Sequence, residues 1–429
     1  MAQKKKKRKK KSGNQQQKIN RNHQRNKFLE SFRHISGLLD CSELYDKIPK
    51  KEMDMFYMIH FGSIRVEAAP GEKISAKMIR FYNWFFNNWI KEDTIELYKG
   101  GPLISLHDCF TIIYTFNEYG EVIEESVVFK VITKIQKEME KRLDLTKLGL
   151  RALSRVESMM PIATLFLSNL LTYIYLFDVR VQKCKVGKTN SSIKIRMYKK
   201  PCEKLSIKFN GKARSVYRLG LPFPAQEFEW IQIDAKTLKI PWINSNKALD
   251  VYIQAHALIR LYERIDCTYR DLVHSDLLLS LSHPKVFMMK GQRRLIEYRI
   301  NNKDKAGYLL AEVVHGVVVI RTFLFLTHED TPEGERLKKV MGSEREDTKY
   351  WALDRLSTFI ASDIHKNERL KRKFIEAGCG SLFRINLGRG SVIQGVLEQA
   401  DAMVKYFGLD EEQGTMARQH DGPMARKND

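Results

Sequence analysis

In the stretch "KMIRFYNWFFNNWI", Met78, Phe81, Tyr82, Phe85 and Trp89 recur every three or four residues, which places them on one stripe of a helix. Aromatic residues at this spacing read as core rather than as a base-stacking surface. The same period runs from Phe28 to about Leu150, so a helical unit is expected over 28–180. Near its end, "SMMPIATLFLSNLLTYIYLF" (158–177) is long and uncharged enough to raise a membrane span. Thr164, Ser168 and Thr172 fall four residues apart there and predict a polar stripe on a helix buried in protein. Membrane association is therefore the last of the readings.

Between Val181 and Ile240 the period shifts toward two. "SIKIRMY", "KLSIKF" and "EFEWIQID" alternate, and Asn210-Gly211 stands where a tight hairpin before "KARSVYRL" needs it. An antiparallel β region is expected over 181–250. Its outward lysines and arginines read as charges on a solvated face.

Beyond Tyr252 come a helix, a second helix with Thr268 as its expected cap, and four strand-like runs: "KVFMM", "RLIEYRIN", "GYLLAEVV" and "VVVIRTFLFLT". The turns between the last three predict an antiparallel meander. Thr331 then caps a helix that opens at Pro332, with Glu333 and Glu335 suiting its positive end. Residues 347–377 and 390–408 are expected as helices, with a Gly-rich loop between them. The predicted class is α+β and multi-domain: a basic disordered arm (1–27), a helical domain (28–180), an antiparallel region (181–250), an α+β domain (251–341), a helical region (342–408) and a disordered tail (409–429).

Composition narrows the partners. The formal net charge is +23; residues 1–27 hold twelve Lys or Arg and no acid, leaving +11 on the rest. A basic folded part favours an anionic partner, nucleic acid ahead of acidic lipid. Six cysteines lie far apart with no metal-binding spacing, which predicts a reducing cytoplasm. The run Lys4–Lys11 is followed by polar residues rather than an apolar stretch, so no secretory leader is read. His274, His283, His328, Glu329 and Asp330 lack the repeated spacing of a metal site, and no phosphate-binding glycine motif or nucleophile elbow is found. Neither metal nor cofactor is expected.

One helix carries candidate chemistry. In "YIQAHALIRLYERID", His256, Arg260 and Arg264 form a row, while Leu258, Ile259, Leu261 and Ile265 can face a core. On spacing alone this is a solvated face that happens to hold a histidine. Residues 251–341, however, resemble bacterial toxin-type domains of the barnase, RelE and colicin-like RNase superfamily. In these an "HAxxRxxxR" helix is followed by a short helix and a four-stranded antiparallel sheet ending in a threonine-bearing strand.

The resemblance implies metal-independent RNA cleavage by attack of the ribose 2′-hydroxyl on phosphate. His256 would be the general base or acid, and Arg260 and Arg264 would clamp the phosphate. Thr322 is implied on the site face, with Tyr298 as a further candidate; Arg321 and Thr322 are expected on opposite sheet faces. A protein inhibitor, and RNA ahead of DNA, enter as partners through the toxin resemblance. The leading expectation is thus a ribonuclease of a toxin or defence system, and the alternative a noncatalytic RNA- or DNA-binding protein.

Overall fold

The computed structural model describes residues 22–122, 137, 141, 143–168, 170–182, 192–209, 211–222, 228–240, 246–268, 270–289, 293–341, 353–385, 403 and 406. Most of the predicted arm, the tail and the predicted helix over 390–408 fall outside these residues. Within them the fold is α+β with two large apolar cores.

The first core is built mainly from helices: α1 (22–38), α2 (Ser42–Tyr45), α3 (Lys50–Ile59), α4 (Ala76–Glu92), α5 (Leu106–Val122) and α6 (Leu145–Leu167). The aromatic stripe of α4 behaves as its spacing predicts, with Met78, Phe81, Tyr82, Phe85 and Trp89 all buried. Phe81 and Phe85 stack on Phe166 of α6, and the Tyr82 hydroxyl donates to the Ala163 carbonyl at 2.7 Å. Strand β1 (Ser63–Ala68) closes this core as one edge of a three-stranded sheet, and a small hairpin, β2 (Thr94–Glu96) with β3 (Leu103–Ser105), lies between α4 and α5.

The apolar segment 158–177 is not one helix. α6 ends at Leu167; the Ser168 backbone N–H closes the last turn on Thr164, and the Ser168 hydroxyl accepts from the Tyr175 N–H at 2.8 Å. From Tyr173 the chain is a strand, β4 (Tyr173–Gln182), so Thr172 lies off the helix and the expected polar stripe is broken. The aromatic and β-branched run "YIYLF" suits a pleated surface buried on both sides. No helix among the described residues is long and apolar enough to cross a membrane.

Residues 181–250 are shared among three sheets. β5 (Ser192–Pro201) runs antiparallel to β4 and parallel to β1. β6 (Lys204–Phe209) and β7 (Lys212–Arg218) form the predicted hairpin, with Gly211 at φ +79°, and join an eight-stranded sheet at its edge. Two short strands, β8 (Gly220–Pro222) and β9 (Phe228–Trp230), pair with each other, and β10 (Gln232–Asp234) adds to β11 (Ala248–Gln254).

After β11 come α7 (Ala255–Arg264) and α8 (Arg270–Ser282), then β12 (Val286–Met288), β13 (Arg294–Ile300), β14 (Asp304–Val314) and β15 (Val317–Phe325). The last four are the predicted antiparallel meander, and β11 lies parallel to β15. α8 begins two residues beyond Thr268, whose buried hydroxyl has no hydrogen-bond partner among the described residues; the expected cap is not made there. The Thr331 cap is made: its hydroxyl accepts from the Gly334 N–H at 2.9 Å at the start of α9 (Pro332–Met341). The chain continues through α10 (Leu356–Ala361) and α11 (Glu368–Glu376) to a 3-10 turn, Cys379–Arg384.

Candidate nucleic-acid interface

α7 leaves β11 with no side-chain cap and packs Ala257, Leu258 and Leu261 onto the eight-stranded sheet. That burial turns the row of His256, Arg260 and Arg264 outward. His256 stands exposed in the first turn. Arg260 donates to Glu263 at 2.8 Å across one turn of the same helix. Arg264 is only 15 % exposed and is held by Asp354, through its backbone carbonyl at 3.0 Å and through its carboxylate. Two residues on, Asp266 accepts from the Ser357 N–H and hydroxyl at 3.0 and 2.6 Å, capping the first turn of α10. Arg264 therefore fastens α7 to the segment that follows α9 and is not positioned as an open phosphate clamp.

The remaining two residues of the expected site lie elsewhere. Tyr298 is fully buried in β13, its ring edge-on to Phe323 and its hydroxyl 3.5 Å from the Val273 carbonyl of α8. Burial also pushes its phenol well above the usual range. Thr322 was expected on the α7 side of the sheet, opposite Arg321. The ladder of β14 and β15 places it otherwise: Ala311 pairs with Ile320 but Leu310 pairs with Thr322, so Arg321 is an extra residue in a bulge. Because Leu310 and Ala311 alternate, Thr322 lies on the side away from Ile320, which belongs to the core beneath α7. Arg321 is on that same far side, its guanidinium 3.9 Å from the Phe209 ring and paired with Glu312 at 2.6 Å. The five residues are thus not brought together at one point.

A different cluster of charge stands out in the structure. Residues 180–218 contain thirteen Lys or Arg and a single acid, Glu203. On the outer face of the three-stranded sheet, Lys194 and Arg196 share Glu67 at 3.6 and 3.7 Å, and Arg180 pairs with Asp178 at 2.8 Å. Arg65 lies beside Lys194 in register and is exposed. The next hairpin is less balanced. Lys204, Lys208, Lys212 and Arg214 are all exposed and make no ion pair among the described residues. At its base, Arg218 is neutralised by Glu203 and Asp250 at 2.8 and 2.9 Å and stacks 4.4 Å from the Trp230 ring.

These basic residues are visible in the sequence as a charge run, but a charge run does not say which cations have partners. The structure separates them. Arg218, Arg260, Arg264 and Arg321 are each tied to a carboxylate, whereas Lys204, Lys208, Lys212 and Arg214 of the β6–β7 hairpin face solvent. No group of three His, Cys, Asp or Glu side chains among the described residues is arranged to hold a metal ion. The known proteins add no assignment to this surface: no family model, curated protein or solved structure matches the chain.

Proposed function

We propose that this protein binds nucleic acid, without cleaving it, through the basic surface of β4 to β7. The observation that carries this reading is the set of four exposed cations on the β6–β7 hairpin without carboxylate partners among the described residues. Holding like charges on one short hairpin costs repulsion that a polyanion relieves, with release of counterions. The twelve basic residues within 1–27 add sequence-independent affinity on the same principle. In this reading the protein acts in the cytoplasm, where its widely spaced cysteines stay reduced.

The test is fluorescence anisotropy with labelled RNA and DNA across a salt series, comparing wild type with Lys204→Glu/Lys208→Glu. The doubly reversed protein should bind at least tenfold more weakly and show a shallower dependence of log affinity on log salt. Unchanged affinity and slope would remove the hairpin from the interface.

A second reading, metal-independent RNA cleavage, is favoured by one observation: His256 is exposed in the first turn of α7 with Arg260 one turn along. RNA incubated with the protein in EDTA distinguishes the two. Products ending in 2′,3′-cyclic phosphate from wild type and not from His256→Ala would replace the noncatalytic reading; intact RNA bound equally by both proteins supports it.

A further inference from the structure

We infer that the β6–β7 hairpin is a two-stranded ribbon that seats in the major groove of duplex DNA, an inference that rests on the nucleic-acid reading above. β6 pairs only with β7 among the described strands, and β7 pairs with β11 only over Val216–Arg218. The part of the hairpin nearest the turn, Ile207–Phe209 with Lys212–Arg214, therefore extends past the ladder of the large sheet.

Its two faces have different chemistry. Ile207, Phe209 and Val216 pack with Tyr252 and Val319 in a small apolar cluster, and the Arg321 guanidinium stacks on the Phe209 ring. That contact fixes the ribbon to β15, so docking requires little further ordering. The other face carries Ser206 opposite Ser215 and Lys208 opposite Ala213. Ser206, Lys208 and Ala213 are exposed. Short side chains in the middle let the ribbon approach base edges closely, while Lys204 and Lys208 on this face stand where phosphates flank a groove; Lys212 and Arg214, opposite Phe209 and Ile207, belong to the other face.

Dimensions select the ligand. Two strands about 4.8 Å apart with short side chains fit a major groove about 12 Å wide, and exceed a minor groove of about 6 Å. A-form RNA has a major groove too narrow and deep for side chains to read. Single strands are held by stacking bases on aromatic rings, and the one aromatic residue on this face, Tyr217, is only 3 % exposed.

The experiment uses the full chain and three fluorescein-labelled 20-mers of one sequence: DNA duplex, RNA duplex and single-stranded DNA. Anisotropy is read at fixed ionic strength for wild type, Ser206→Glu and Ala213→Glu, with circular dichroism melting to verify that each variant is folded. Wild type should bind DNA duplex at least tenfold more tightly than the other two. Either folded variant should lose most of that preference, and the major-groove dye methyl green should compete where the minor-groove ligand netropsin does not. Equal affinity for all three nucleic acids, preference for RNA or single strands, or displacement by netropsin alone would overturn the inference while leaving nucleic-acid binding standing. Absence of binding to any of the three would overturn both.

Discussion

Asn87 of α4 closes both backbone hydrogen bonds of Ile64 in β1: its side-chain oxygen accepts from the Ile64 N–H at 3.0 Å and its amide donates to the Ile64 carbonyl at 2.8 Å. One turn earlier, Asn83 does the same for Val66 at 2.9 and 3.0 Å. β1 pairs with β5 on one side only, so the two amides stand in for a missing strand along its other edge. Replacing Asn87 with Leu leaves a donor and an acceptor unsatisfied, with an expected loss of about 1–3 kcal/mol. Urea denaturation measures it; a loss below about 0.5 kcal/mol, within the scatter of surface substitutions, would mean water replaces the amide at no cost.

The two arginines of the α7 row should differ in their effect on stability. Arg260 is half exposed and paired within its own helix, so Arg260→Ala should cost no more than about 0.5 kcal/mol. Arg264 bridges to Asp354 and is largely covered, and its removal also frees the end of α7 from α10. Arg264→Ala should cost about 1–3 kcal/mol. Equal costs in thermal or urea unfolding would contradict this difference in anchoring.

His60 is packed against the rings of Phe28 and Tyr57, at 4.9 and 4.7 Å. Burial holds its imidazole below the ordinary histidine value; the hydrogen bond with the Tyr57 carbonyl opposes the shift, and nearby His107 adds to it. The unfolded chain then takes up this proton at higher pH than the folded one does. Stability from this site is present in full above the ordinary histidine pKa and declines as pH falls toward the depressed folded value. His60→Phe should flatten the decline in melting temperature between about pH 7 and pH 5, the interval in which an ordinary histidine begins to charge. An unchanged slope would assign the acid sensitivity to other groups.

Lys305 stands between two carboxylates, 3.5 Å from Glu297 and 2.9 Å from Glu333, with the Tyr308 hydroxyl 3.1 Å away. Tyr308 in turn donates to Glu333 at 3.0 Å, and burial with the Glu333 charge pushes its phenol well up. This cluster ties α9 to the back of β14. Lys305→Met leaves two mostly buried carboxylates facing one another and should cost about 3–5 kcal/mol. A neutral result in urea unfolding would show that the carboxylates reach water in the variant.

What the sequence made legible was local. The α4 stripe, the β6–β7 hairpin with Gly211 in its turn and the Thr331 cap depend on neighbours within a few residues, and each is found where the pattern places it. Thr322 was misplaced because a single extra residue in β15 reverses the side-chain alternation, and no residue type at that position announces a bulge. Arg264 read as a phosphate ligand because its partner, Asp354, lies 90 residues further along the chain. The edge-covering role of Asn83 and Asn87 was equally hidden, since two asparagines on a helix state nothing about the strand that will lie beside them.

β4 has one further consequence. Its Tyr175 and Phe177 side chains belong to the first core, while Ile174 and Leu176 belong to the second. At the end of α6, Phe166 and Leu165 divide in the same way. Neither core can be cut away without exposing one side of this strand, so the two halves melt as a coupled system. Loosening Leu176 would then lower the unfolding temperature reported by aromatic signals from the first core, even though Leu176 itself points into the second.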